Sequence, residues 1–108
     1  MNPVVFLVSI RVKPGREEEF LRVLTPVLDA MRHEKSFINV VLHRSEDDPT
    51  HFMLYETWAN FDDVKEVQLK RDYRQEYHAR LDDLLEAPRE VEFWQPVRAD
   101  FAFFAGAS

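Results

Sequence analysis

The stretch FMLYETWANFDDVKEV, residues 52–67, decides the fold because it joins a strand to a helix within one short segment. Residues 51–58 are rich in aromatic and aliphatic side chains, which are typical of a β-strand. Asn60 can cap a helix that starts at Phe61, and Asp62 and Asp63 follow where the helix dipole favours negative charge. The segment therefore predicts a strand followed directly by a short helix.

The chain before this segment begins with a second type of pattern, a strand followed by a longer helix. Residues 4–12 (VVFLVSIRV) form a β-branched and aromatic run, and residues 13–15 (KPG) predict a turn after it. From Arg16, apolar residues recur at helical spacing behind an acidic first turn. Pro26 lies inside this pattern and predicts a kink or break near Thr25.

The remaining elements complete an alternating order. Residues 37–44 (FINVVLHR) predict a strand that forms a β-hairpin with residues 51–58. A helix is predicted over residues 72–85 and a last strand over residues 89–97, in which Pro96 indicates a sheet edge. The order βαββαβ predicts an α+β fold of the ferredoxin-like type, with helices on one face of an antiparallel four-stranded sheet.

Composition limits the class of protein. The 108 residues are enough for one domain over 1–108, with its core at about 4–97. The net charge of −6 and the lack of a basic cluster argue against a nucleic-acid partner. No cysteine is present, which excludes disulfides and thiolate metal sites and fits a cytoplasmic location. No segment is long and apolar enough to predict a membrane span or a leader.

The predicted sheet is apolar on both faces, although two helices can cover only one. Such a patch exceeds what monomers usually expose, so we expect a homodimer formed through the sheets. The tail over residues 98–108 adds Phe101, Phe103 and Phe104 beyond the last strand. We expect these rings to pack across the dimer, and the alternative is that they fold back on their own helices.

Several local patterns resemble the antibiotic biosynthesis monooxygenase family. They are the turn at 13–15 before an acidic helix, the strand end at 55–58 (YETW) before a short helix, and residues 84–88 (LLEAP) before the last strand. The resemblance spans about residues 4–97. It implies a dimeric α/β barrel, with Trp58 at the border of the pocket. It also implies oxidation of a quinol or polyketide-type aromatic by O₂ without metal, flavin or haem, so no cofactor is expected.

The chain departs from many relatives at positions where they carry polar residues. Val67 and Asp72 stand where relatives have histidines, and Val8 and Leu54 stand where haem- or anthrone-acting members have asparagine. Haem degradation is therefore not expected. The departures also leave open a non-catalytic dimer that binds a small ligand or only assembles, and an isomerase or decarboxylase that uses the same pocket.

Strand two supplies the first candidate site residues. Asn39 and His43 project from the same face as Val41, because side chains alternate along a strand. If that face points at the helices, Asn39 lines the pocket and His43 can act as the catalytic base, since its ordinary pKa is near neutrality. The alternative is that His43 is solvated at the strand end.

The other candidates lie on strand three and the second long helix. Glu56 is a carboxylate among apolar neighbours, which suits an acid or base near neutral pH, unless it pairs with Arg11. Trp58, Tyr73 and Tyr77 are candidates for binding an aromatic substrate, and the alternative for all three is core packing. His78 is expected at the surface, and no histidine pair has metal-ligand spacing, so no metal is predicted.

Overall fold

The chain folds into an antiparallel sheet with its helices on one side. The structure, a computed structural model, describes residues 2–102. The strands and helices confirm the predicted order βαββαβ: β1 Val4–Arg11, α1 Glu17–Met31, β2 Phe37–Arg44, β3 His51–Trp58, α2 Phe61–Glu66, α3 Gln75–Leu84 and β4 Glu90–Trp94. Two 3₁₀ turns, Gln68–Lys70 and Asp72–Arg74, connect α2 to α3.

The strands lie in the order β2-β3-β1-β4, and all neighbours are antiparallel. The predicted hairpin of β2 and β3 is confirmed, with a bulge between Phe37 and Asn39. In β1, Phe6 pairs with Glu56 of β3 on one side and with Phe93 of β4 on the other. The α+β ferredoxin-like fold predicted from the sequence is the observed fold.

The side chains of β1 and β3 alternate between a face covered by helices and an open face. Val8 and Ile10 are buried against the apolar stripe of α1, which includes Phe20, Leu24 and Val27. The intervening residues project from the opposite side of the sheet, which we call the open face. This alternation separates the side chains of the sheet into two sets with different surroundings.

Helix α1 is continuous from Glu17 to Met31, so the predicted break near Thr25 is wrong, whereas the alternative of a kink there stays a prediction. Pro26 lies inside the helix, but its side chain is exposed to solvent. The buried stripe on the other side of α1 holds the helix against the sheet across the position of the missing amide. Thr25 donates its hydroxyl to the carbonyl of Leu21 at 2.7 Å, which adds a bond within the same turn.

The last strand is shorter than predicted. The sheet pairing of β4 ends at Trp94, where the sequence predicted a strand to residue 97. Pro96 lies beyond the pairing, and β4 forms a sheet edge as its proline indicated. The chain then continues beside the open face.

The short helix α2 begins as predicted. The Asn60 Oδ1 atom accepts the backbone N–H of Asp63 at 3.2 Å, which satisfies one of the free amides at the helix start. The helix predicted from Asp72 instead starts with a 3₁₀ turn, and α3 follows from Gln75. Within residues 2–102, no helix is long and apolar enough to cross a membrane.

Candidate functional site

A buried polar pair lies at the end of β3, on the face covered by helices. The positions of Glu56 and Trp58 two residues apart on a strand place both side chains on this face. Trp58 is fully buried and Glu56 is 8% exposed. The indole Nε1–H of Trp58 donates to Glu56 Oε1 at 3.1 Å, so the pair forms a buried hydrogen bond.

Arginine and tyrosine side chains from the segment leading into α3 meet this pair. The Arg74 guanidinium carbon lies 5.9 Å from the ring centre of Trp58 and 5.7 Å from that of Tyr73. Tyr77 is buried one helical turn later, and the guanidinium carbon of Arg89 lies 5.7 Å from its ring centre. We call Glu56, Trp58, Arg74 and Tyr77 the inner cluster.

Burial is the main cause of the shifted pKa values in the inner cluster. Burial raises the pKa of Glu56, while the Trp58 hydrogen bond and the charges of Arg74 and Arg89 oppose this rise. Burial likewise raises the pKa of Tyr77, whose hydroxyl therefore stays protonated at neutral pH. Glu56 is thus a carboxyl group that can hold or accept a proton closer to neutrality than an exposed glutamate.

Several polar atoms of the inner cluster have no hydrogen-bond partner within the described residues. They are Nε and Nη2 of Arg74 and Oη of Tyr77, all of them buried. Buried polar groups are nearly always paired, so each of these exceptions needs an explanation. The inner cluster therefore holds unused donors beside a carboxylate and an indole ring, an arrangement suited to a ligand with an oxygen atom.

Tyr73 uses its hydroxyl for a structural contact. It donates to Glu34 Oε2 at 2.8 Å, and Arg71 Nε lies 3.1 Å from the same oxygen. Burial, reinforced by the hydrogen bond to Glu34, raises the pKa of Tyr73 to about 12. Its ring faces Arg74, so Tyr73 borders the inner cluster through its aromatic surface.

His78 differs from its predicted surface position. It is half-buried, and its ring centre lies 5.7 Å from that of Tyr77. Burial, reinforced by the charges of Arg89 and Arg74, lowers the pKa of His78. Its ring is therefore neutral at physiological pH.

Asn39 and His43 lie on the open face and are separated by the sheet from the inner cluster. The condition for their joining the pocket beneath the helices, that their face points at the helices, is not met. They line a groove of about 1060 Å³ on the open face, which Trp94 at the end of β4 and the following chain up to Phe101 also line. The Oδ1 atom of Asn39 is buried without a partner among the described residues.

The structure also corrects one alternative for Glu56. Arg11 does not pair with Glu56, because it projects from the open face and lies 3.9 Å from Asp48. Of the tail phenylalanines, Phe101 lines the open-face groove and is 73% exposed. Phe103 and Phe104 lie outside the described residues, so their packing across a dimer stays a prediction.

A second pocket, of about 560 Å³, lies between α3 and β4. It is lined by Leu81, Leu85, Pro88, Arg89 and Val91, among others. Arg89 also lies over the ring of Tyr77, so this pocket reaches the border of the inner cluster. Within residues 2–102, no group of three or more histidine or carboxylate side chains is placed to hold a metal ion.

The sequence prediction missed Arg74 and Arg89. Arg74 precedes Tyr77 by three residues, a spacing that puts both side chains on neighbouring positions of a helical segment. That spacing was a usable signal, because a basic residue on the buried side of a helix is uncommon. Arg89 lies between α3 and β4, where no periodic pattern indicates the direction of a side chain.

Comparison with known proteins agrees with this architecture. Residues 3–66 match the model of the antibiotic biosynthesis monooxygenase family. A protein of Pestalotiopsis microspora, named "putative monooxygenase", is 33% identical over 88 residues, which cover 81% of this chain and 73% of that protein. The fold is thus that of a small ferredoxin-like α+β domain, and the chain belongs to the antibiotic biosynthesis monooxygenase family.

Two further relatives extend the comparison. An uncharacterized protein of Synechocystis sp. is 26% identical over 94 residues, which cover 87% of this chain but only 63% of that protein. A solved structure from Nitrosomonas europaea, named "putative antibiotic biosynthesis monooxygenase", superposes with a TM-score of 0.83 at 21% identity. The superposition covers 89% of this chain and 91% of that one, and it shows the shared fold.

Proposed function

We propose that this protein is a cofactor-independent monooxygenase that oxidises a quinol or polyketide-type aromatic with O₂. The observation that carries the proposal is the inner cluster, in which a buried carboxyl of raised pKa lies beside an indole ring and unpaired donors. The family membership and the monooxygenase name of the Pestalotiopsis relative support the same class of reaction.

The reaction needs little from the protein beyond removal of a proton and exclusion of water. For an anthrone-type substrate, Glu56 takes one proton from the ring CH₂, and the resulting carbanion transfers one electron to O₂. The substrate radical and superoxide then combine to form a C–O bond, and the peroxide takes a proton. Loss of water across the O–O bond, with the second C–H, gives the ketone. One oxygen atom enters the product, the other leaves as water, and two C–H bonds supply all four electrons.

Each residue of the inner cluster has a proposed role. Glu56 acts as the base because burial raises its pKa towards the range in which it can both accept and return a proton. Trp58 borders the substrate ring, and Tyr77, whose hydroxyl lies near Arg89, donates that hydroxyl to a substrate oxygen. The ring of Tyr73 completes the aromatic wall. His43 and Asn39 belong to the open-face groove, where His43 is the second candidate for the base.

The test is O₂ consumption with hydroquinone and anthrone probes. We expect uptake by the wild type and a rate lower by about 10²- to 10⁴-fold in Glu56→Gln, because the amide cannot accept the proton. Glu66→Gln is the control, since Glu66 is an exposed carboxylate at the end of α2, away from both the inner cluster and the open face. Its rate should equal that of the wild type.

The other outcomes assign alternative functions. A loss of uptake in His43→Ala, with Glu56→Gln active, would place the base in the open-face groove. Saturable binding of the aromatic without O₂ uptake by the wild type would indicate a non-catalytic ligand-binding dimer, which Val67 and Asp72 motivate. Conversion of substrate in the absence of O₂ would indicate an isomerase or decarboxylase.

We also propose that two copies associate through their open faces. Ile38 and Val41 of β2 and Tyr55 of β3 are exposed there, and Trp94 and Phe101 extend the same apolar surface. Patches of this kind on small proteins mark association sites. The dimer would enclose His43 and Asn39 between two sheets, and it would act on O₂ and a small aromatic substrate in the cytoplasm.

A further inference from the structure

Arg74 is a buried cation without an ionic partner in the part of the chain that the structure describes. Its residue exposure is 7%, and two of its three guanidinium nitrogens are buried and unpaired. Its neighbours on the sheet side are Glu56 and Trp58, and those on the helical side are Tyr73, Tyr77 and His78. Glu56 lowers the energy of the cation through its charge but makes no ion pair with it within 4.0 Å.

An unpaired buried charge is strongly unfavourable, because the desolvation of the guanidinium is not compensated by hydrogen bonds. Stacking on the rings of Trp58 and Tyr73 offsets only part of this penalty. A guanidinium presents fixed, planar N–H donors that match an anionic oxygen. The Arg74 guanidinium therefore lacks a negatively charged hydrogen-bond acceptor.

We propose that Arg74 binds the anionic oxygen of an aromatic substrate, and that the Tyr77 hydroxyl is the second donor to that oxygen. The catalytic role of Arg74 rests on the proposed monooxygenase function. When Glu56 takes a proton from the bound aromatic, the negative charge moves from the carboxylate to the substrate oxygen. Arg74 then stabilises the phenolate or enolate, and the total charge of the cluster does not change.

An anion site at Arg74 would select one class of aromatic substrate. An aromatic with an acidic hydroxyl or an enolisable ketone supplies the oxygen that Arg74 requires. A methyl ether or a plain hydrocarbon of the same shape leaves the guanidinium unpaired and is selected against, because a site built for a hydrogen-bonding oxygen strongly rejects an analogue without it. Arg74 is thus a specificity-determining residue.

The experiment measures binding and does not need turnover. The probe is 4-nitrophenol, whose phenolate absorbs at a longer wavelength than the phenol, titrated under anaerobic conditions against the full chain. Its methyl ether, 4-nitroanisole, is the matched ligand without an ionisable oxygen. The variants are Arg74→Gln and Arg74→Lys, and Arg80→Gln is the control, because Arg80 pairs with Glu19 and Asp83 away from the inner cluster.

We expect wild type to lower the pKa of bound 4-nitrophenol by about 1 unit or more, as a cation near a titrating oxygen does. Arg74→Gln should abolish this shift and weaken phenolate binding by about tenfold or more, which corresponds to the loss of one charge-assisted hydrogen bond. Arg74→Lys should retain part of the shift, and Arg80→Gln should retain all of it. Binding of 4-nitroanisole should be weak in every variant.

Equal phenolate affinity in wild type and Arg74→Gln would overturn the proposal. Thermal unfolding provides the second readout, because removing an unpaired buried charge should leave the midpoint unchanged or raise it. A clear fall in the midpoint would assign Arg74 a structural role and contradict the proposal. If Arg74→Gln does not fold, the shift retained by Arg74→Lys decides the question.

The proposal and the monooxygenase assignment can fail separately. Phenolate binding that depends on Arg74, without O₂ uptake, would support the anion site and remove the monooxygenase function. O₂ uptake that persists in Arg74→Gln, with unchanged affinity for the substrate, would support the function and remove the anion site.

Discussion

Glu56 links burial to chemistry at the scale of a single residue. Burial raises its pKa, so the folded protein binds this proton more tightly than the unfolded chain does. Where the folded state binds more protons, stability falls as the pH rises. The contribution of Glu56 is therefore most favourable below the ordinary glutamate pKa, and it declines as the pH rises through the higher pKa of the folded state.

Glu56→Gln should consequently be more stable than wild type at neutral pH. The amide keeps an oxygen that accepts the Trp58 N–H, and it removes the cost of a buried charge. Because burial raises the pKa of Glu56, we expect a higher free energy of unfolding in Glu56→Gln than in wild type at neutral pH. Urea unfolding at several pH values between about 4 and 8 measures it.

The pH dependence distinguishes this effect from a change in packing. The gain in Glu56→Gln should shrink as the pH falls towards the ordinary glutamate pKa, because wild-type Glu56 is then protonated in both states. Glu66→Gln, which changes an exposed carboxylate on α2, should show no such trend. A pH-independent difference between Glu56→Gln and wild type would contradict the assigned pKa shift.

Residue spacing named three of the four residues of the inner cluster, Glu56, Trp58 and Tyr77. Alternation along a strand was enough to place Glu56 and Trp58 on one face, but it could not show that the indole itself supplies the partner of the carboxylate. The alternative pairing with Arg11 failed because Arg11 has the opposite parity on β1. The unpaired state of Arg74 depends on distances to several elements, which no local pattern contains.

Helix α1 shows at the scale of an element how burial overrides a local rule. Pro26 removes the amide that would bond to the carbonyl of Arg22, and interior prolines destabilise helices by about 3 kcal/mol or more. Pro26→Ala should restore this bond without disturbing the core, since the side chain is exposed. Proline also restricts the unfolded chain, and the loss of this restriction in Pro26→Ala offsets roughly 0.4–1 kcal/mol of the gain in the free energy of unfolding.

We therefore expect Pro26→Ala to raise the free energy of unfolding by about 2 kcal/mol or more in urea. Arg22→Ala serves as the control on the same helix, because Arg22 is exposed and its ion pair with Glu19 is long, at 3.7 Å. It should stay within about 0.5 kcal/mol of wild type. A loss of stability in Pro26→Ala would show that the proline ring makes a favourable contact.

The strands and turns of the fold were largely predictable, and the ends of some elements were not. The strands β2 and β3 and the cap at Asn60 match the prediction because local propensity and burial agree there. β4 ends at Trp94, before Pro96, where it lies opposite Val5, one residue from the start of β1 at Val4. Such an end depends on the neighbouring strand.

At the scale of the whole molecule, the open face should decide the oligomeric state. Stable interfaces need a total buried area of about 1,000 Å² or more, and the exposed side chains of β2 and β3 with the chain after β4 provide a continuous apolar surface. Placing a charge at its centre would bury that charge without a partner. We expect Tyr55→Lys to convert the protein to a folded monomer, as measured by sedimentation velocity.

Leu69→Lys is the matched control for this experiment. Leu69 is also exposed, but it lies in the 3₁₀ turn after α2, away from the open face. Its sedimentation should equal that of wild type. A wild-type protein that sediments as a monomer at micromolar concentration would remove the dimer proposal altogether.

The sequence could not decide which face of the sheet the helices cover. Both parities of β1 are apolar, so periodicity alone leaves the two sides equivalent. Asn39 and His43 were assigned to a pocket beneath the helices only on that condition, and the register of β2 against β3 places them on the other side. The partition of candidate residues between two sites is thus a property of the assembled sheet.

The strict alternation along β3 has a consequence for how such a protein can change over generations. Phe52, Leu54 and Glu56 project to the helices, whereas Met53 and Tyr55 project to the open face. Mutations of the side chains that face the helices and mutations of those on the open face therefore fall on interleaved positions of the same strand. Each face can therefore change without the other, and a mutant library confined to every second residue of β3 would vary one face while the other stays fixed.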